Sequence, residues 1–190
     1  MKKIIEKTST LKKSLALALS VATLSAVAIP MSQAATSMNE TVAASQSKIS
    51  LEQAMVLANK AVAGNIISAG FDQEDRMENN HYEIKIIANN NEQEVIVNAN
   101  TGKVIKDEVE RLDREDLAEY NAMKKAKVSL SQAIKNANTT LNGTVLEAEF
   151  DMDDNKPVYK IEIGKGNQVY DVVVDSMTGK VVSSQVDHDD

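Results

Sequence analysis

Val95-Ile-Val-Asn-Ala-Asn-Thr-Gly-Lys-Val104 reads as a strand, a tight turn and the start of a second strand. Three β-branched residues favour extended backbone. Asn98 is placed to hydrogen-bond N–H groups of the turn, and Gly102 to supply the positive φ that a short hairpin needs. The same pattern returns as Val172-Val-Val-Asp-Ser-Met-Thr-Gly-Lys-Val181, 77 residues later (172 − 95). There Asp175 and Gly179 stand where Asn98 and Gly102 stood, and Thr178 matches Thr101. One Thr-Gly turn is commonplace. Two in matching contexts mark a duplication, and the organisation of the chain follows from it.

Working outward, each hairpin is preceded by the same devices. Ser50-Leu-Glu-Gln53 and Ser129-Leu-Ser-Gln132 are capping boxes that open helices. Leu51, Ala54, Met55, Ala58 and Val62 fall on one helical face, as do Leu130, Ala133, Ile134, Ala137 and Leu141. Gly64 and Gly143 are placed to stop the helices with a left-handed residue. Alternating runs follow: Ile67, Ala69 and Phe71 in the first copy, Leu146, Ala148 and Phe150 in the second, with Glu147 and Glu149 directed to solvent. Tyr82, Ile84 and Ile86 match Tyr159, Ile161 and Ile163. The expected fold is α+β: two tandem small domains, each one helix packed on a four-stranded antiparallel β-meander. They span 48–105 and 127–182. A charged connector, partly helical from Asp113, occupies 106–126, and an acidic tail 183–190.

The start of the chain is an export signal rather than part of the fold. Five lysines precede the apolar run Leu15–Ile29, and Ser32-Gln-Ala34 puts small residues before a cleavage between Ala34 and Ala35. Fifteen residues fall short of the roughly 20 that a spanning helix needs. Residues 1–34 are thus a signal peptide, and the small, polar stretch 35–47 reads as a flexible leader. Membrane contact is expected only through the uncleaved signal, and the mature protein is periplasmic or secreted. The signal carries five Lys and one Glu, so the formal net charge of −7 becomes −11 once it is removed. Such a surface argues against nucleic acid as a partner. With no Cys in an exported chain, disulfides and a lipid-modified cysteine are both excluded.

Catalytic chemistry finds little footing. There is no Cys nucleophile, no Gly-x-Ser-x-Gly elbow, no phosphate loop and no His-Glu-x-x-His. His81 and His188 read as solvated, and the carboxylates of the strands as solubilising. Asp151-Met-Asp-Asp-Asn155 with Glu162 imitates a calcium loop, but Lys156 holds the position that requires Gly, and Pro157 follows. A solvated acidic hairpin is the better reading. No catalytic residue, cofactor or metal site is expected. The edge strands of a small sheet remain as surfaces to which an extended peptide can add.

Ser-Leu-x-x-Ala, a helix ending at Gly, Tyr-x-Ile-x-Ile and Val-x-[Asn/Asp]-x-x-Thr-Gly-Lys-Val resemble the PepSY domain, twice, over 48–105 and 127–182. That resemblance implies a helix-on-meander fold and a part in restraining peptidases, because the module occurs in propeptides of secreted metallopeptidases. No peptidase follows it here, so inhibition would act on a separate molecule. The expected function is that of an exported, non-enzymatic binding protein that modulates or inhibits a peptidase or other envelope protein in trans. Its partner would be a protein or peptide, such as a secreted metallopeptidase. The alternative is a structural or sensing module of the cell envelope.

Overall fold

The computed structural model describes residues 40–187, so the signal segment with Ala34 and Ala35, and His188, lie outside the described residues. Helix α1 (Leu51–Ala61) leads into strands β1 (Asn65–Asp72), β2 (His81–Ala88), β3 (Asn91–Asn98) and β4 (Val104–Arg111). Helix α2 (Arg114–Met123) connects to the second unit: α3 (Leu130–Leu141), β5 (Thr144–Asp153), β6 (Lys156–Lys165), β7 (Gln168–Asp175) and β8 (Val181–Val186). Helix-on-meander therefore occurs twice. The two meanders join edge to edge into one eight-stranded antiparallel sheet, ordered β4-β3-β2-β1-β5-β6-β7-β8. The seam pairs Ser68 with Glu149, Ala69 with Ala148 and Gly70 with Glu147. Ala69 and Ala148 are equivalent positions, so the two copies meet about a local two-fold axis. Both alanines are fully buried beneath the helices.

The capping boxes form as their residues dictate. Ser50 Oγ accepts from the Gln53 N–H while Gln53 Oε1 accepts from the Ser50 N–H, and Ser129 and Gln132 repeat the exchange. Each cap is worth about 1 kcal/mol. The helices bury Ala54, Met55, Ala58, Ala133, Ile134 and Ala137 against Ile84, Ile86, Val95, Ile161, Ile163 and Val172. Phe71 meets Tyr82 edge-on at 5.4 Å between ring centroids, and Phe150 meets Tyr159 at 5.5 Å. Each tyrosine O–H then donates to the carbonyl ahead of its helix, Ile49 or Val128, at 2.6 Å.

Three expectations need correction. Gly64 and Gly143 do not hold positive φ. The first helix ends at extended Val62, and Asn142 takes the left-handed conformation (φ 55°) in the second. These glycines serve close approach instead, since a Cβ at Gly143 would lie 2.5 Å from the Gly164 carbonyl oxygen. Residues 40–46, assigned to a flexible leader, are helical and bury Thr41, Ala43 and Ala44. Residues 183–186, assigned to the tail, belong to β8, paired only with β7; polar Ser183 and Ser184 suit an outermost strand. The loop around Asp154, by contrast, is the hairpin expected: a two-residue turn with Asp154 and Asn155 at φ 48° and 62°.

Candidate functional site

The two Thr-Gly turns are the most regular local features. Asn98 Oδ1 accepts from the N–H groups of Asn100 and Thr101 and from Thr101 Oγ1 at 2.8–3.1 Å. Asp175 Oδ1 does the same for Met177, Thr178 and Thr178 Oγ1 at 2.7–3.1 Å. These bonds hold the Asp175 carboxyl below its ordinary range, the Thr178 hydroxyl contributing most. Gly102 stands at φ 68° and Gly179 at 72°. The six turn residues form two separate hairpins, each docked on its own helix start through Ile49 N–H to Ala99 O and Val128 N–H to Ser176 O. Their role is to fix strand register against the helix.

The helices cover one face of the sheet; the opposite face carries the charges. Across its centre the register sets Glu83, Gly70, Glu147, Glu162 and Asp171 side by side on β2, β1, β5, β6 and β7. Burial pushes the Glu147 carboxyl up to about 7, reinforced by Glu149. It pushes Glu162 up to about 8, with Glu147 and Asp171 adding repulsion. Like charges that are partly withdrawn from water favour the neutral carboxyl. These side chains are therefore not simply solubilising, as their spacing on half-buried strands suggested.

The helical segment 40–46 and α2 overlie this face. Thr41 rests on Gly164, whose missing Cβ leaves the space it fills. Tyr120 of α2 accepts a hydrogen bond from Asn65 Nδ2 at 2.7 Å. Each helical segment thus precedes one copy and reaches the meander of the other. Glu119 on α2 is pushed up to about 7 by burial first, then by Asp151 and Glu149. Carrying the 79-residue offset backwards from Ser129 and Ser50 sets Glu40 against Glu119 and Ala43 against Ala122. That was the available signal for a helix at 40–46, and its short, small-residue sequence concealed it.

Where β1 meets β2, three ligand-type side chains converge. His81 pairs with Asp72 across the strands, and Glu83 lies two residues on along the same face. His81 Nε2 is 3.5 Å from Glu83 Oε1 and 3.7 Å from Asp72 Oδ2. Its side chain is 13% exposed, so His81 is not the solvated residue its polar surroundings suggested. The hydrogen bond to Glu83 raises the His81 pKa, and the same bond lowers that of Glu83.

Two outer strands are open among the described residues. Among these residues β4 pairs only with β3 and β8 only with β7, so the sheet has its outer edges at opposite ends. At roughly 4.8 Å per strand the two edges stand about 34 Å apart. Ile105 and Val109 on β4 and Val182 on β8 are exposed. The inner edges, β1 and β5, are closed against each other.

A family model described as "Peptidase propeptide and YPEB domain" matches residues 48–108 and 127–185, the two helix-on-meander units. The chain belongs to this PepSY family. Among solved structures it is similar to a candidate lipoprotein of Clostridium difficile 630, at 28% identity over 78% of this chain and 100% of that one, with a TM-score of 0.48. It is also similar to the C-terminal domain of YpeB from Bacillus megaterium, at 18% identity over 76% of this chain and 68% of that one, with a TM-score of 0.30. No curated protein matches the chain. Among the described residues no helix is long and apolar enough to cross a membrane.

Proposed function

We propose that the chain is an exported, non-enzymatic binding protein that modulates or inhibits a peptidase, or another protein of the cell envelope, in trans. The observation that carries this reading is the double match to a family described by peptidase propeptides, on units that form helix-covered meanders. The outer strands support it physically: among the described residues β4 and β8 each pair on one side, which leaves an edge to which an extended segment of a partner can add. Because the edges lie at opposite ends of the sheet, each would take its own segment of the partner. Two linked sites raise the effective concentration of the second contact only for a partner that spans that distance.

The test is residual activity of secreted metallopeptidases from the same organism, titrated with the intact chain. Inhibition that weakens when proline is placed in β8 where the N–H faces away from β7, as in Ser184→Pro, supports the proposal, because proline there blunts the free edge without breaking the β7–β8 ladder. Absence of any effect on those peptidases removes the inhibitor reading and leaves a structural or sensing module of the envelope.

A further inference from the structure

The geometry points to a divalent transition-metal site, of the kind that takes zinc, formed by Asp72, His81 and Glu83 at the β1–β2 end of the sheet. One ligand atom from each residue lies within 4.8 Å of the other two. His81 Nδ1 is 3.1 Å from the Asn79 carbonyl oxygen, which can only accept, so Nδ1 carries the hydrogen of that bond. Nε2 is then the ring nitrogen turned toward the two carboxylates, 3.5 Å from Glu83 Oε1 and 3.7 Å from Asp72 Oδ2. A divalent cation among the three would displace the proton that Nε2 shares with Glu83 and be held by all three side chains. A backbone carbonyl holding the far nitrogen is also the usual way a metal-binding histidine is oriented.

The distances suit the ion. Bonds of about 2.0–2.2 Å in a tetrahedron place neighbouring ligand atoms about 3.3–3.6 Å apart. The two distances from Nε2 are 3.5 and 3.7 Å. The Asp72 side chain is 47% exposed against 17% for Glu83, so adjustment falls on Asp72 and a fourth position opens to solvent. One imidazole with two carboxylates favours zinc or its neighbours in the transition series over calcium, which takes six to eight oxygens.

The second copy supplies an internal comparison. The positions equivalent to Asp72, His81 and Glu83 are Asp151, Val158 and Lys160. There Lys160 Nζ forms an ion pair with Asp151, so the chain supplies its own cation. In the first copy a carboxylate replaces that lysine and an imidazole replaces the valine. The two copies share one backbone arrangement, yet only the first gathers three ligands. The duplication has been kept as structure and made unequal in chemistry.

Isothermal titration of the purified protein with zinc chloride tests the site, with calcium chloride as the comparison. Zinc should saturate at one ion per chain through this site, and calcium should give no saturable binding. His81→Gln removes the nitrogen ligand, and Glu83→Lys installs the cation that the second copy already uses. Both variants should lose that equivalent while keeping the far-ultraviolet circular dichroism of the parent. Glu83→Lys guards against a His81 variant that fails to fold, since the second copy folds with lysine at that position. No saturable zinc binding to the parent, or zinc binding unchanged in both variants, overturns the proposal. The first result would leave His81 as an ion-pair partner of the two carboxylates, and the second would put the ligands elsewhere in the chain.

Discussion

Replacing Glu162 by Gln should stabilise the protein in alkaline solution and leave it unchanged in acid. The Glu162 carboxyl is lifted from 4.5 to about 8 by burial and by Glu147, Asp171 and Asp187 around it. A folded-state pKa above the unfolded one means that the fold prefers the protonated group. Its favourable contribution is complete below about pH 4.5 and is lost progressively as the pH rises to about 8. At about 1.4 kcal/mol per pH unit, that interval sets a ceiling of about 5 kcal/mol. Partial contact of the side chain with water lowers the expected loss to about 2 kcal/mol. Glutamine has the shape of the protonated acid and cannot ionise. Urea melts of parent and Glu162→Gln between pH 4.5 and 9 should therefore coincide at the acid end and diverge steadily toward the alkaline end. For a chain of this size a gap of about 2 kcal/mol corresponds to about 4–8 °C in melting temperature. Parallel stability curves across the whole range would refute the reasoning, because they would mean that Glu162 ionises in the fold as freely as in the unfolded chain.

Gly179→Val should cost more than about 1 kcal/mol in urea melts, because a β-branched residue is strained at positive φ. The new Cβ would also lie 2.9 Å from Asn136 Nδ2. Equal stability would show that the turn tolerates a side chain. Gly164→Ala should drive a methyl group into Thr41 and release the segment 40–46 from the sheet. Limited proteolysis should then cut near 40–46 faster than in the parent, and an unchanged cleavage rate would count against that packing. Calcium should leave the melting temperature where it was, because Asp151 is paired with Lys160 and the Asp154 turn has no room for a twelve-residue ligand loop. A calcium-dependent rise that disappears in Asp151→Ala would contradict this.

Everything that depends on neighbours along the chain was legible in the residues. Ser50 with Gln53 and Ser129 with Gln132 specify helix starts, because both partners lie within one turn. Asn98 with Gly102 and Asp175 with Gly179 specify hairpins for the same reason. Alternation around Tyr82 and Tyr159 specifies which strand face meets the helix. The repeat at offsets of 79 and 77 multiplied each signal by two. How the copies meet was settled only in three dimensions. No local pattern declares that Ala69 will pair with Ala148, since a strand's free edge looks the same in sequence whether it faces water or another strand. That one pairing closes two of the four edges and brings Glu83, Glu147, Glu162 and Asp171 into a single row. Carboxylates that alternate along separate strands read as solvated. They become coupled only when strands far apart in sequence are set about 4.8 Å apart. His81 and Asp72 are likewise nine residues apart along the chain and become neighbours only through the register of β1 on β2. Alternation and capping are properties of a segment, whereas charge repulsion and ligand geometry are properties of distance in space. Folding alone sets that distance.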